Sequence, residues 1–208
     1  MNTRSIALTA CAVILFLGSA AAQERMPPIP KEKMTDAQKK AAAELIAGPR
    51  GELQGPFIAL LRSPEFMSRL QKTGEYLRFQ NVLGSHLNEF LILITARHWT
   101  QNYEWDAHQP LALKAGVKQE LITAVAEGRR PAGMAEDEEI IYDFATELLA
   151  HQSVSDSTYA RARTRFGEQG VIDMTGVAGY YSMLGMIMNV ARTPVPPGKT
   201  PALAPYPH

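Results

Sequence analysis

Across residues 35–191 the apolar side chains recur at helical spacing, and no run alternates as a half-buried strand would. Prolines concentrate at the two ends. RMPPIPKEK reads as a short extended arm before this region, and PVPPGKTPALAPYPH, with six prolines in fifteen residues, follows it. A chain patterned in this way can only be an all-α, single helical domain, with about seven to eight helices between Pro-rich N- and C-terminal arms. The second arm is either disordered or laid over a neighbouring surface, and Leu203 and Tyr206 give it something to bury.

Stop and start signals divide the helical region. Thr35-Asp36-Ala37-Gln38 forms a capping box for a helix that ends near Gly48-Pro49. RGELQGPF reads as a loop leading to a helix over Pro64–Phe79. Ser85 is expected to cap the next helix, which contains HLNEFLILITARHWT. Residues 102–115 form a fourth helix stopped by Gly116, and KQELITAVAEG a short fifth. Glu136–His151 is expected to be helical, with its acids gathered at the start, where the helix dipole favours them. Ser155 caps a helix reaching Phe166-Gly167, and residues 169–191 form a last, apolar helix containing Gly176, Gly179 and Gly185.

Residues 1–22 read as a secretory signal peptide and not as part of the fold. Arg4 supplies the positive start, IALTACAVILFLG the apolar run, and Ala20-Ala21-Ala22 the cleavage site before Gln23. Leu8-Thr9-Ala10-Cys11 resembles a lipobox, but it lies too close to Arg4 and inside the apolar run, which argues against a lipid anchor. Cleavage would remove Cys11, the only cysteine, and leave a chain with no thiolate nucleophile, thiolate ligand or disulfide. No later segment reaches about 20 uninterrupted apolar residues, so no membrane association is expected after cleavage. The mature chain carries 20 basic and 21 acidic side chains, with no basic surplus for nucleic acid. No GxGxxG, GxxxxGK[ST] or GxSxG unit is present to bind a dinucleotide or phosphate or to present a serine nucleophile.

The chemistry-bearing residues centre on TQNYEWDAHQP. Glu104 and His108, four apart, share a helix face. As an acid–base pair, the carboxylate would orient the imidazole and raise its pKa; as a surface ion pair, it would do little. Glu89 stands near the start of a helix that is apolar all round. It is either exposed in the first turn or buried with a partner, a cavity or a proton. Trp99, Tyr103 and Trp105 either wall a water-excluding pocket or fill the core. Arg97 either clamps a substrate carboxylate or pairs with one of these glutamates. One histidine beside two glutamates lacks the HExxH-type pairing of a zinc site, and no metal is expected.

Taken in order, Glu89, Gln101, Glu104 and His108 resemble the signature of the carboxymuconolactone decarboxylase family, which includes the alkyl hydroperoxidase D branch. The peroxidase branch reads E-x11-C-x2-C-x3-H. Here Gln101 and Glu104 stand at the two cysteine positions, and YEWDAH resembles the decarboxylase branch. GPFIALLRSPEF, LALKAGVKQELITAV and FGEQGVIDMTGVAGYYSMLGMIMNVA extend the resemblance over residues 55–192. Residues 23–54 then form an N-terminal arm and helix, and 193–208 the Pro-rich tail.

The resemblance implies an alkyl hydroperoxidase D-like fold, a homo-oligomer (trimer or hexamer) and catalysis without a cofactor. It makes His108 the proton-transfer residue, with Glu89 and Glu104 tuning or relaying, and Arg97, Tyr103 and Trp105 facing a small carboxylated substrate. Two functions follow: an exported lyase or isomerase acting on a small carboxylated compound such as a lactone acid, or a non-catalytic acid-binding or assembly protein of the same fold. Thiol peroxidase chemistry does not carry over, because disulfide exchange needs two thiols.

Overall fold

The computed structural model describes residues 23–204. The expected signal peptide, together with Tyr206 and His208, lies outside the described residues. Those described form eight α-helices with no strand: α1 (Asp36–Ala47), α2 (Pro56–Leu60), α3 (Pro64–Phe79), α4 (Gly84–His98), α5 (Asn102–Lys114), α6 (Gln119–Ala126), α7 (Glu136–His151) and α8 (Asp156–Ala191).

Helix α4 is the axis of the molecule. Every side chain from Leu87 to Arg97 is buried, and α5, α6, α7 and α8 all pack against it. Such enclosure explains why its sequence is apolar around the whole circumference. A tight turn, with Thr100 in the left-handed region (φ 47°), reverses the chain into α5. The resulting antiparallel hairpin sets the inner face of α5 beside α4. Helix α1 packs on α3, while α2 bridges α3 and α8.

Local signals account for most boundaries. Thr35 and Gln38 close a reciprocal capping box at α1. The helix over residues 84–98 begins differently from expectation. It starts at Gly84, with no side-chain cap, and Ser85 lies within it. The segment read as a loop also differs, since Gly55 (φ 56°) turns the chain into the short helix α2, whose Pro56, Phe57, Ala59 and Leu60 are buried. In α8, Gly167 (φ 69°, ψ 177°) interrupts the helical backbone, giving the two segments expected on either side of it.

By length and composition α8 could cross a membrane, yet 56% of its most apolar window is buried within the protein. Its hydrophobicity is used against α2, α3, α4 and α7.

Both arms are anchored. The Arg25 backbone N–H donates to the Ala191 carbonyl at 2.8 Å, and Arg62 donates to the Pro27 carbonyl at 2.7 Å. In the second arm Leu203 is buried, its N–H donates to Asn102 Oδ1 at 2.8 Å, and Lys199 lies 3.3 Å from Asp106. Of the two alternatives for this tail, the structure shows it laid over the α4–α5 hairpin as far as residue 204.

Candidate active site

Glu89, Glu104 and His108 converge inside the α4–α5 hairpin. His108 is 3% exposed, with Nδ1 2.6 Å from Glu89 Oε2 and Nε2 3.1 Å from Glu104 Oε1. Glu89 and Glu104 are themselves buried. The four-residue spacing puts Glu104 beside the imidazole on one helix, and the hairpin brings Glu89 to its other edge. The exposed alternatives for both glutamates are thereby set aside.

A carboxylate accepts hydrogen bonds and cannot donate them, so two carboxylates facing the two ring nitrogens favour a proton on each nitrogen. Burial pulls the His108 pKa down, but hydrogen bonding and negative charge from Glu104 and Glu89 outweigh it, and the pKa is raised above 6.5. The geometry and the raised pKa together favour the charged imidazolium, held between two carboxylates. Because both nitrogens are engaged, neither offers a free lone pair to a metal. The Tyr181 ring meets the imidazole edge-on, with centroids 5.2 Å apart, and fixes its tilt.

His108 and Glu104 reach a small cavity of about 100 Å³, also lined by Arg50, Gln54, Arg78 and Tyr103. Glu89 is held behind them. Tyr103 covers one side, and its hydroxyl donates to Gln54 at 3.3 Å. Its ring lies so close to Gly55 that a Cβ at that residue would meet Tyr103 Cε1 at 2.6 Å. Burial, then the charges of Glu104, Glu52 and Asp106, push the Tyr103 hydroxyl up, so it stays protonated beside the acid pair.

Not every expected residue reaches this cavity. Arg97, read as a substrate clamp, is turned away: Nη1 donates to the Ala204 carbonyl at 2.6 Å, and the side chain lines a separate cavity with His98 and Tyr142. The helix explains this, because eight residues from Glu89 is two turns and about 80° further around the axis. Trp105 is 1% exposed and belongs to the core, which settles its reading against the pocket wall. Gln101, at a cysteine position of the resembling signature, caps α5 by accepting from the Tyr103 N–H at 2.7 Å. Its amide also donates to Asn189 at 2.8 Å, tying the hairpin turn to the end of α8.

The residues not anticipated come from distant segments. Arg50 donates to the Tyr180 hydroxyl at 3.0 Å and lies over the Phe57 ring at 4.7 Å. Arg78 lies over Phe79 at 5.2 Å. A second histidine–carboxylate contact, His86 Nε2 to Glu138 at 2.8 Å, joins α4 to the start of α7, with Nδ1 3.0 Å from the Ala115 carbonyl. It is half-exposed and apart from the cavity, and it serves as a structural tie. Searched against protein-family models and curated proteins, the chain finds no match.

Proposed function

We propose that this chain is an exported, carboxymuconolactone decarboxylase-like lyase or isomerase that moves a proton on a small carboxylated compound without a cofactor. The observation that carries this reading is the buried imidazole of His108, bracketed by Glu89 and Glu104 and opening on a cavity through its Glu104 edge. A surface ion pair needs no such enclosure. A buried proton store beside a cavity does, because low dielectric around the imidazole strengthens its coupling to charge that develops on a substrate.

In the lyase form of the reaction, the bond from carbon to the departing carboxylate breaks and CO2 leaves. The electron pair passes onto the adjoining carbonyl as an enolate or dienolate. His108 then supplies a proton to carbon, directly or through Glu104, and recovers it from solvent water. In the isomerase form the same pair removes a proton from one carbon and returns it to another. Glu89 is the positioning residue that keeps the imidazole charged and oriented.

The signature at Glu89, Gln101, Glu104 and His108 supports the family assignment and the alkyl hydroperoxidase D-like fold. The charged, apolar and small-residue order of residues 1–22 supports export. Phe66, Met186 and Val190, exposed on α3 and α8, support assembly into a homo-oligomer. Thiol peroxidase chemistry has no place in the reading, since Cys11 is the only cysteine.

The test is proton exchange. Purified protein and its His108→Gln variant are incubated in D2O with carboxylated lactones, and deuterium at the carbon next to the carbonyl and CO2 release are followed by NMR. Exchange or release that disappears in the variant supports the enzyme. Acids that bind with no exchange in the parent protein would leave only the binding-protein alternative.

A further inference from the structure

The cavity that opens on Glu104 and His108 contains two guanidinium groups with no carboxylate partner. Arg50 and Arg78 both line it, and neither makes an ion pair among the described residues. The Nε atoms of both are shut off from water without an acceptor. That burial leaves the outer Nη groups, not Nε, as the donors that a ligand oxygen can reach. The Arg50 guanidinium lies over the Phe57 ring and that of Arg78 over the Phe79 ring, cation–π contacts that favour these positions.

Two acids also line or reach the cavity, and neither neutralises these cations. Glu104 is engaged by His108 at 3.1 Å, and the exposed Glu52 forms no ion pair with either arginine. We infer that Arg50 and Arg78 together form a carboxylate clamp, which holds the acidic group of the ligand while its reacting carbon faces Glu104 and His108. This assignment rests on the reading of the cavity as the substrate site. A planar guanidinium matches a carboxylate through two parallel N–H···O bonds. The clamp takes the role expected of Arg97. Arg50 precedes the segment 55–192 that carries the family resemblance, so the motif did not point to it.

Tyr180 sets the position of Arg50. Its hydroxyl accepts from Arg50 Nη2 at 3.0 Å, and burial holds that hydroxyl's pKa up at about 12. A neutral acceptor fixes the guanidinium without cancelling its charge, which leaves the cation available to a ligand.

Isothermal titration of the purified chain with acetate, succinate and benzoate, and with acetamide and benzamide as uncharged counterparts, tests the clamp. At least one acid binds saturably and its amide does not. Arg50→Gln and Arg78→Gln each weaken that acid about tenfold or more, the loss expected for a charge-assisted bond. Arg69→Gln, on the exposed face of α3, changes nothing. Arg→Lys variants keep charge without the fork, recover part of the affinity, and carry the comparison if a glutamine variant does not fold.

No saturable binding by any acid, equal binding of acid and amide, or acid binding unchanged in both arginine variants overturns the proposal. Sulfate competing as strongly as the best acid overturns the carboxylate assignment. The two readings fail separately. Arginine-dependent binding without His108-dependent exchange removes the enzyme and keeps the clamp, while exchange on acids indifferent to both arginines does the reverse.

Discussion

Glu89→Gln separates charge from shape at the centre of the site. The substitution keeps the side-chain length and leaves an amide oxygen where Oε2 now lies, 2.6 Å from His108 Nδ1. It deletes one of the two charges that hold the imidazolium. Removing one partner of a buried ion pair costs about 3–5 kcal/mol. Here the amide still accepts a hydrogen bond, worth about 1 kcal/mol, and Glu104 remains as a counter-charge. The expected loss is therefore about 2–3 kcal/mol near neutral pH, or a fall in Tm of roughly 4–12 °C for a domain of this size.

The pH dependence gives the sharper check. The His108 pKa is raised above its unfolded value of 6.5, so its contribution to stability is complete below that pH and is lost as pH rises through the folded pKa. Each unit of such elevation corresponds to about 1.4 kcal/mol. Urea unfolding followed by circular dichroism at about pH 6 and about pH 9 should show the variant well below the parent at the lower pH, and the gap narrowing at the higher. A gap of the same size at both, or none at the lower pH, would refute the claim that Glu89 holds His108 as a cation.

Two further perturbations address the supports of the site. In Gly74→Ala the new methyl overlaps the Tyr180 hydroxyl and Cζ, so Tyr180 must move. A loss of about 1–3 kcal/mol in thermal melting is expected, and an unchanged melt would contradict the packing. Leu203→Ala removes the buried anchor of the C-terminal arm, a Leu→Ala change worth about 2 kcal/mol at the low end of its range. Cleavage within residues 193–204 by limited proteolysis should quicken, and equal cleavage rates would show that the arm is held by its polar contacts alone.

Helix termini with their own chemistry were legible in the sequence. The Thr35 capping box, Pro64 at the start of α3 and the acidic first turn of α7 each fix an end through neighbouring residues. Ends set by backbone alone were not: Gly84, at φ 73°, starts α4 one residue before the serine expected to cap it. Helix α2 was hidden because five residues after Gly55 are too few to show a period. The Glu89–His108 contact could be anticipated only by pattern, since type alone places a glutamate at the surface. Arg50 and Tyr180 lie 130 residues apart, and nothing local to either points to the other. Arg97 shows the converse limit, because being near the motif in sequence did not put it on the same side of the helix.

The buried Glu89–His108 contact also constrains how such a chain can change over generations. A lineage that loses His108 alone keeps a desolvated carboxylate with no cation, and one that loses Glu89 alone keeps a charged ring short of an acceptor. Replacing both with apolar residues of similar bulk avoids those two penalties and leaves Glu104, which lines the cavity, as the one acid still to be accommodated. The two positions are thus bound to change as a pair, even where the chemistry is no longer used. Glu104, at the edge of the cavity, is the member that can vary first, and a new activity in this architecture would begin there.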